Sequence, residues 1–393
     1  MRKNNGLLRS ARLSKQWTEE FVSEQVGVKL RTYVRWETGI QLPRYESLKT
    51  LCRVFSMSPT ELGFLDPSPS QQDAAQAQVD GKHVSEDTPV KIAEKADDEE
   101  ETIEILAEKL ALCWEEYISG EQIKLEILVP TYIADLNRPT LVPGPDQRVA
   151  ASLMSQAYQL IALLELQRGN TANARLNGTQ AVVYAQLARD WNVYVAAQVR
   201  LATILSSCKR PGAALVAYND ALRLINTYND AVSPALHSRI FAGLAEIQAA
   251  MGREKEARQL LKLALAIFPT HPEGDPCFSY IQYDLLMLYL YQGIVFLRLG
   301  LKKDAWDAFS VVDTFKPTPN KRTRAEFLKY RAYTSLLLGN MTQSCIYLEA
   351  AARAAQEISS DLVLGEVYGI YEHMLATWGQ EQRVRLLARL FQM

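Results

Sequence analysis

The sequence predicts an all-α chain in three parts: a small N-terminal helical domain, a flexible acidic linker and a long array of paired helices. Three observations carry this. Residues 19–36 place apolar side chains at the spacing of two short helices joined at a glycine. Residues 66–100 lose almost all large apolar side chains and lead into the acidic run Asp97-Asp98-Glu99-Glu100-Glu101. From Thr102 onward the apolar period is helical throughout, with no strand alternation, and a turn residue recurs at intervals of 40, 43, 48, 39 and 40 residues. The implied boundaries are 1–65 for the first domain, 66–101 for the linker, 102–147 for a capping or connecting helical segment and 148–393 for the repeats.

In the first domain, Val22, Val26, Val28, Tyr33 and Trp36 make one buried seam between two crossing helices. Gly27 stands at the sharp turn between them, where a side chain is a steric cost. Ser23 is small where the two backbones approach. Thr18 is placed to cap the first helix, and Glu20 to sit in its acidic first turn. The second helix, Lys29 to Glu37, carries Arg31 and Arg35 four residues apart and therefore on one side. Tyr33 and Trp36 belong to the opposite, structural side.

These features occur together: Trp17-Thr18-Glu19-Glu20, then Gly27, then a helix ending Trp36-Glu37-Thr38-Gly39, a Pro43-containing arm and the helix SLKTLCRVFSMSPTEL. Residues 7–64 thereby resemble the phage-repressor-like helix-turn-helix family, of Cro/C1 or XRE type. The resemblance implies a five-helix bundle and a double-stranded DNA partner. By position it puts the base-reading residues at Leu30, Arg31 and Arg35, with Lys29 at the mouth of the groove. Arginine can bond bidentately to the O6/N7 edge of guanine, and Leu30 can touch a thymine methyl. Lys29, Arg44 and Arg12 read as phosphate contacts, which position without specifying. The family often has glutamine where this chain has Glu19, and an ionised carboxylate cannot donate to phosphate. Binding then leans on Arg44 and on the backbone amides at the helix N-terminus. A bundle that mediates protein contacts alone is the other reading of the segment.

Charge is distributed accordingly. Residues 1–64 hold 11 Lys/Arg against 6 Asp/Glu, residues 65–101 hold 3 against 11, and the remainder 29 against 28. The positive end is the one with the groove-reading motif, as a polyanionic partner requires. Residues 66–100, with Pro67, Pro69 and Pro89 among Ser, Gln, Ala and Asp, have the composition of a flexible linker.

In the second half Gly169, Lys209, Gly252, Gly300, Gly339 and Gly379 occupy the recurring turn position. Seven residues earlier stand Ala162, Ala202, Ala245, Gly293 and Ala332, the pattern failing at Glu372. Five residues later stand Ala174, Ala214, Ala257, Ala305 and Ser344, and twelve later Ala181, Ala221, Ala264, Val312 and Ala351, failing at Val384 and Phe391. Small residues at these offsets let two antiparallel helices touch and let each pair stack on the next. The pattern resembles a tetratricopeptide (TPR) α-solenoid over residues 148–393, with a HEAT-like array as an alternative of the same architecture. The atypical unit from Tyr368 to Phe391, and the helix pair around Gly120, read as caps.

The five cysteines, Cys52, Cys113, Cys208, Cys277 and Cys345, are far apart and make no CxxC pair, which fits a reducing cytoplasm better than a disulfide framework or zinc site. The four histidines (His83, His237, His271, His373) make no metal motif. Phosphate loops, dinucleotide fingerprints and nucleophile elbows are absent from the sequence. The reading is non-enzymatic, with no cofactor and no metal. No signal peptide is evident, and the most apolar run, Leu285 to Leu297, is interrupted by Gln292 and is shorter than the ~20 residues that span a bilayer. A cytoplasmic protein without a membrane partner is expected.

A Cro-type reader joined by an acidic linker to a tetratricopeptide-like array resembles the peptide-pheromone-sensing regulators of the Rgg/PlcR/PrgX type. That resemblance implies a homodimer, a quorum-sensing role and a short peptide or protein ligand on the concave face of the array. Counting back from each turn, the face would carry Gln156, Gln159, Thr203, Arg239, Glu246, Arg298, Lys329 and Tyr333. Amides, hydroxyls and opposed charges suit an extended peptide. The alternatives are an array that only dimerises or docks a protein, and a scaffold that does not engage DNA.

Overall fold

A computed structural model describes residues 6–15, 17–38, 43, 45–55, 57, 62, 102–228, 231–314 and 319–391. Every regular element among them is helical, as the all-α reading requires. The chain divides into two units, Met1–Lys95 and Ala96–Met393. The segment read as a linker, 66–101, lies outside the described residues. So does any fifth helix of the first unit.

The first unit holds α1 (Gly6–Ser14), α2 (Glu19–Val26), α3 (Leu30–Glu37) and α4 (Tyr45–Phe55). They close over Leu8, Val22, Tyr33, Trp36, Leu51, Phe55 and Leu62, all buried. Helix α2 starts where Thr18 Oγ1 accepts the Phe21 N–H at 3.2 Å, with Glu19 and Glu20 in its first turn. It stops at Gly27, which takes φ 75° and ψ 33°. The Gly27 and Val28 amides donate back to the Glu24 and Ser23 carbonyls, closing the helix in a left-handed cap.

In the second unit α5 (Ile103–Ser119) and α6 (Gln122–Leu141) turn at Gly120, also left-handed at φ 94°. Six helix pairs follow. They are α7 (Gln147–Gln167) with α8 (Thr171–Ala188), α9 (Trp191–Ser207) with α10 (Pro211–Thr227), and α11 (Pro234–Ala250) with α12 (Glu254–Ile267). After a short helix α13 (Phe278–Ile281) come α14 (Leu285–Arg298) with α15 (Lys302–Ser310), α16 (Lys321–Leu337) with α17 (Met341–Glu357), and α18 (Asp361–Trp378) with α19 (Gln382–Leu386). Asn, Asp or Ser caps recur at the starts: Asn170, Asp190, Ser233, Asp284, Asn320, Asn340 and Ser360 each accept the amide three residues on.

The recurring turn residue has a common conformation. Gly169, Lys209, Gly252, Gly300 and Gly339 all lie at φ between 58° and 77°. In each case the next residue donates its amide to the carbonyl five residues before it, at 2.9–3.0 Å. Gly379, the atypical one, is right-handed at φ −63°. The small residues counted from these turns are buried: Ala162, Ala174, Ala202, Ala214, Ala245, Ala257, Ala305, Ala332 and Ser344 are fully inaccessible. A left-handed backbone costs an L-residue roughly 1–2 kcal/mol, and only Lys209 bears that cost at a turn the other pairs give to glycine. Lys209→Gly should therefore stabilise the unit by up to about 1 kcal/mol, since glycine also loses more chain entropy on folding; calorimetry of the full chain reads it, and a destabilised variant would contradict it.

Helices α5 and α7 also meet the far end of the array. Arg322 Nε of α16 donates to the Tyr117 carbonyl of α5, and Leu362 of α18 packs against the cluster of Ala162, Leu166, Ala174 and Ile204. Ser360 Oγ donates to Gln167 Oε1. The first and last pairs thus close on each other. Helix α7 is long and apolar enough to cross a membrane by those criteria alone, but two thirds of that stretch is buried within the unit.

Candidate functional site

Helix α3 is divided lengthwise. Tyr33 and Trp36 are buried, 0% and 2% exposed, while Arg31 and Arg35 are exposed and Leu30 is 38% exposed. Lys29, at the N-cap, is also exposed. The arginine pair therefore sits on one outward face, with Leu30 and Lys29 at the N-terminal end that would first meet a groove.

What holds that face is a buried ion pair. Arg12 of α1 donates from Nε and Nη2 to the two Glu37 carboxylate oxygens, at 2.6 and 3.1 Å. Tyr33 Oη donates to Glu37 Oε1 at 2.7 Å. Arg12 also reaches the Trp17 carbonyl at 3.0 Å and Glu19 at 3.3 Å. Both Arg12 and Glu37 are almost inaccessible. The Glu37 hydrogen bond outweighs burial and keeps the Arg12 guanidinium above its ordinary range. Burial, then the bond to Glu37, pushes the Tyr33 phenol well up. Arg12 is thus corrected from a phosphate contact to the clamp between α1 and α3: its donors are spent inside the domain. Glu19 gains a purpose in place of the expected glutamine, as an acceptor for that same arginine. Arg44 lies outside the described residues. Glu37 was read only as part of a helix end; its partner lies 25 residues away, a distance no local pattern spans.

The geometry is that of a short helix with one outward cationic face, stiffened from behind. Residues 8–62 match the Helix-turn-helix family, in agreement with the Cro/C1-type resemblance. That segment is a helix-turn-helix domain, a DNA-binding fold. No curated protein has significant similarity to the chain.

The second unit gathers some of the remaining candidates along the first helices of consecutive pairs. Arg239 of α11 donates to Thr203 Oγ1 of α9 at 3.2 Å and to Tyr291 Oη of α14. Glu246 of α11 faces Arg298 of α14 at 3.8 Å. Burial raises the Glu246 carboxyl, and Arg298, Arg239 and Lys329 oppose that rise. Lys329 of α16 is buried and bound by Glu326 at 2.6 Å and by Glu366 of α18. Burial disfavours its charge, yet Glu326, Tyr330 and Glu366 together hold the ammonium well above its usual range. Gln159 is fully buried against Ser155, Gln156 is part-buried in the same pair, and Tyr333 packs into the C-terminal cluster. No hydrogen bond among the described residues joins those three to the Arg239–Lys329 seam. Arg200 and the tyrosines around Arg239 were missed; Arg200 stands three residues before Thr203, hence on its face of the helix. Among the described residues, no three His, Cys, Asp or Glu side chains gather as a metal site.

Proposed function

We propose that the chain is a transcription regulator that reads its operator through α3 and carries an effector-responsive, dimerising array behind it. The observation that carries the reading is the outward pair Arg31 and Arg35 on a helix whose other face is fixed by the Arg12–Glu37–Tyr33 cluster. Leu30 joins the arginines in base contact, and Lys29 contacts phosphate. Support for a tetratricopeptide-like array comes from the five identical left-handed turns and the fully buried small residues at constant offsets from them. Support for a short peptide effector comes from the seam of Thr203, Arg239, Glu246, Arg298 and Lys329, whose alternating donors and acceptors match an extended chain.

A second reading, in which the array only dimerises or docks a protein, is favoured by the exposed apolar side chains Ile123, Ile127, Leu141 and Val142 of α6 and its end. Light scattering of the full chain should give twice the monomer mass, and its footprint should be an inverted repeat with half-sites about one helical turn, ~34 Å, or a multiple of it, apart. A monomer at micromolar concentration bound to an asymmetric site would refute the dimer. If short peptides leave DNA affinity unchanged while the dimer persists, the docking reading replaces the effector reading.

A further inference from the structure

Three buried cations among the described residues have carboxylates. Arg12 has Glu37, Lys329 has Glu326 and Glu366, and Arg331 has Asp313. Arg200 and Arg239 depart from this. Neither makes an ion pair among the described residues. Arg200 donates to the Tyr280 carbonyl at 2.6 Å and lies over the Trp114 ring at 5.1 Å. Arg239 has Thr203, Tyr218 and Tyr291 hydroxyls and stands over the Tyr291 ring at 4.1 Å. Burial pushes the Tyr283 and Tyr291 phenols well up, so they are neutral near pH 7 and supply dipoles rather than counter-charge. Glu246 feels Arg239 electrostatically but contacts Arg298.

The two guanidiniums also act on each other. Burial, with the like charge of Arg239 adding and Tyr117 opposing, draws Arg200 down to about 10. Arg200 nonetheless keeps accessible surface. It stands one turn before Thr203, the residue that Arg239 bonds, so the two guanidiniums share one neighbourhood. Beside them, among the described residues, Trp114 Nε1 and the Nη1 and Nη2 of Arg322, which stacks on Tyr117 at 3.9 Å, are sealed from solvent without a hydrogen-bond partner.

We propose that Arg200 and Arg239 together bind an anionic group, a carboxylate or a phosphate. Two desolvated cations of like sign are costly alone and become favourable when one anion bridges them. Arginine forks suit the planar two-oxygen edge of either group. The proposal deepens the effector reading and depends on it only for the consequence at DNA; the anion site stands on the cluster itself.

The test is the melting temperature of the full chain at fixed ionic strength in sodium chloride, with inorganic phosphate, acetate, or an alanine tetrapeptide bearing a free or an amidated C-terminus. At least one of the three anionic probes should raise the wild-type melting temperature by a few degrees at saturation, through mass action on the folded state. Phosphate and acetate acting together point to a free small anion; action of the free-carboxylate tetrapeptide alone points to a chain terminus. Arg200→Met and Arg239→Gln, each with wild-type circular dichroism, should lose the response. Arg200→Met should melt above wild type in chloride, because it removes an uncompensated buried charge. No shift with any anion, or a full shift in both variants, would overturn the site. A shift with unchanged DNA affinity in the same buffers keeps the site and removes the effector reading.

Discussion

Replacing Glu37 by alanine should remove much of the stability of the helix-turn-helix domain and lower its melting temperature strongly. The substitution leaves the Arg12 guanidinium buried with Glu19, 3.3 Å away and partly exposed, as its one remaining counter-charge among the described residues. It also strips Tyr33 Oη of its acceptor. Breaking a buried pair on one side costs about 3–5 kcal/mol. A domain of this size has roughly 3–9 kcal/mol to lose at ~0.05–0.15 kcal/mol per residue. Glu37→Gln keeps the volume and an acceptor for Tyr33, and should cost less. Replacing both Arg12 and Glu37 by apolar residues should recover much of the loss, since no charge is then stranded. Thermal melts followed at the tryptophans of this domain distinguish the three. A wild-type melting temperature for Glu37→Ala would show that the cluster does not hold the domain.

The second large effect lies between α14 and α15. Gly293 occupies the position that four other pairs give to alanine. A Cβ there would stand 2.2 Å from Phe309 Cε1. Phe309 is fully buried, edge-on to Phe327 at 6.2 Å and stacked on Tyr330 at 5.8 Å. Phe309→Ala should cost about 3–5 kcal/mol through lost transfer energy and the cavity left behind. Gly293→Ala should cost about 1–3 kcal/mol by overpacking. The double variant should be less destabilised than the sum, because the new methyl enters the space the ring vacates. Calorimetry of the four proteins gives the coupling, and strict additivity would contradict the packing.

The sequence was legible where the physics is local. Thr18, Gly27 and the recurring glycines follow from capping and left-handed turns, which a few consecutive residues decide. The alanines counted from those turns follow from helix contact at a fixed register, and the glycine at 293 departs from alanine only because a phenylalanine faces it. The outward faces of Arg31 and Arg35 follow from helical period. What was illegible is pairing at long sequence separation. Arg12 looks like any surface cation until α1 is laid beside Glu37, and Arg200 looks ordinary until α9, α13 and α5 are brought together. Among the groove candidates, register could suggest that Arg239 meets Thr203 and Glu246 meets Arg298, but it could not say that Lys329 already holds two carboxylates or that Gln159 is sealed against Ser155.

The central claim is that α3 reads bases through Arg31 and Arg35. The most direct test is the affinity of the full chain, at stated salt, for its selected operator and for each single-base variant of that site, compared with Arg31→Ala and Arg35→Ala. Each variant should keep wild-type helical content and lose about 1–3 kcal/mol of discrimination at its own base position, leaving preferences elsewhere intact. An unchanged base preference and footprint in both variants would contradict the claim.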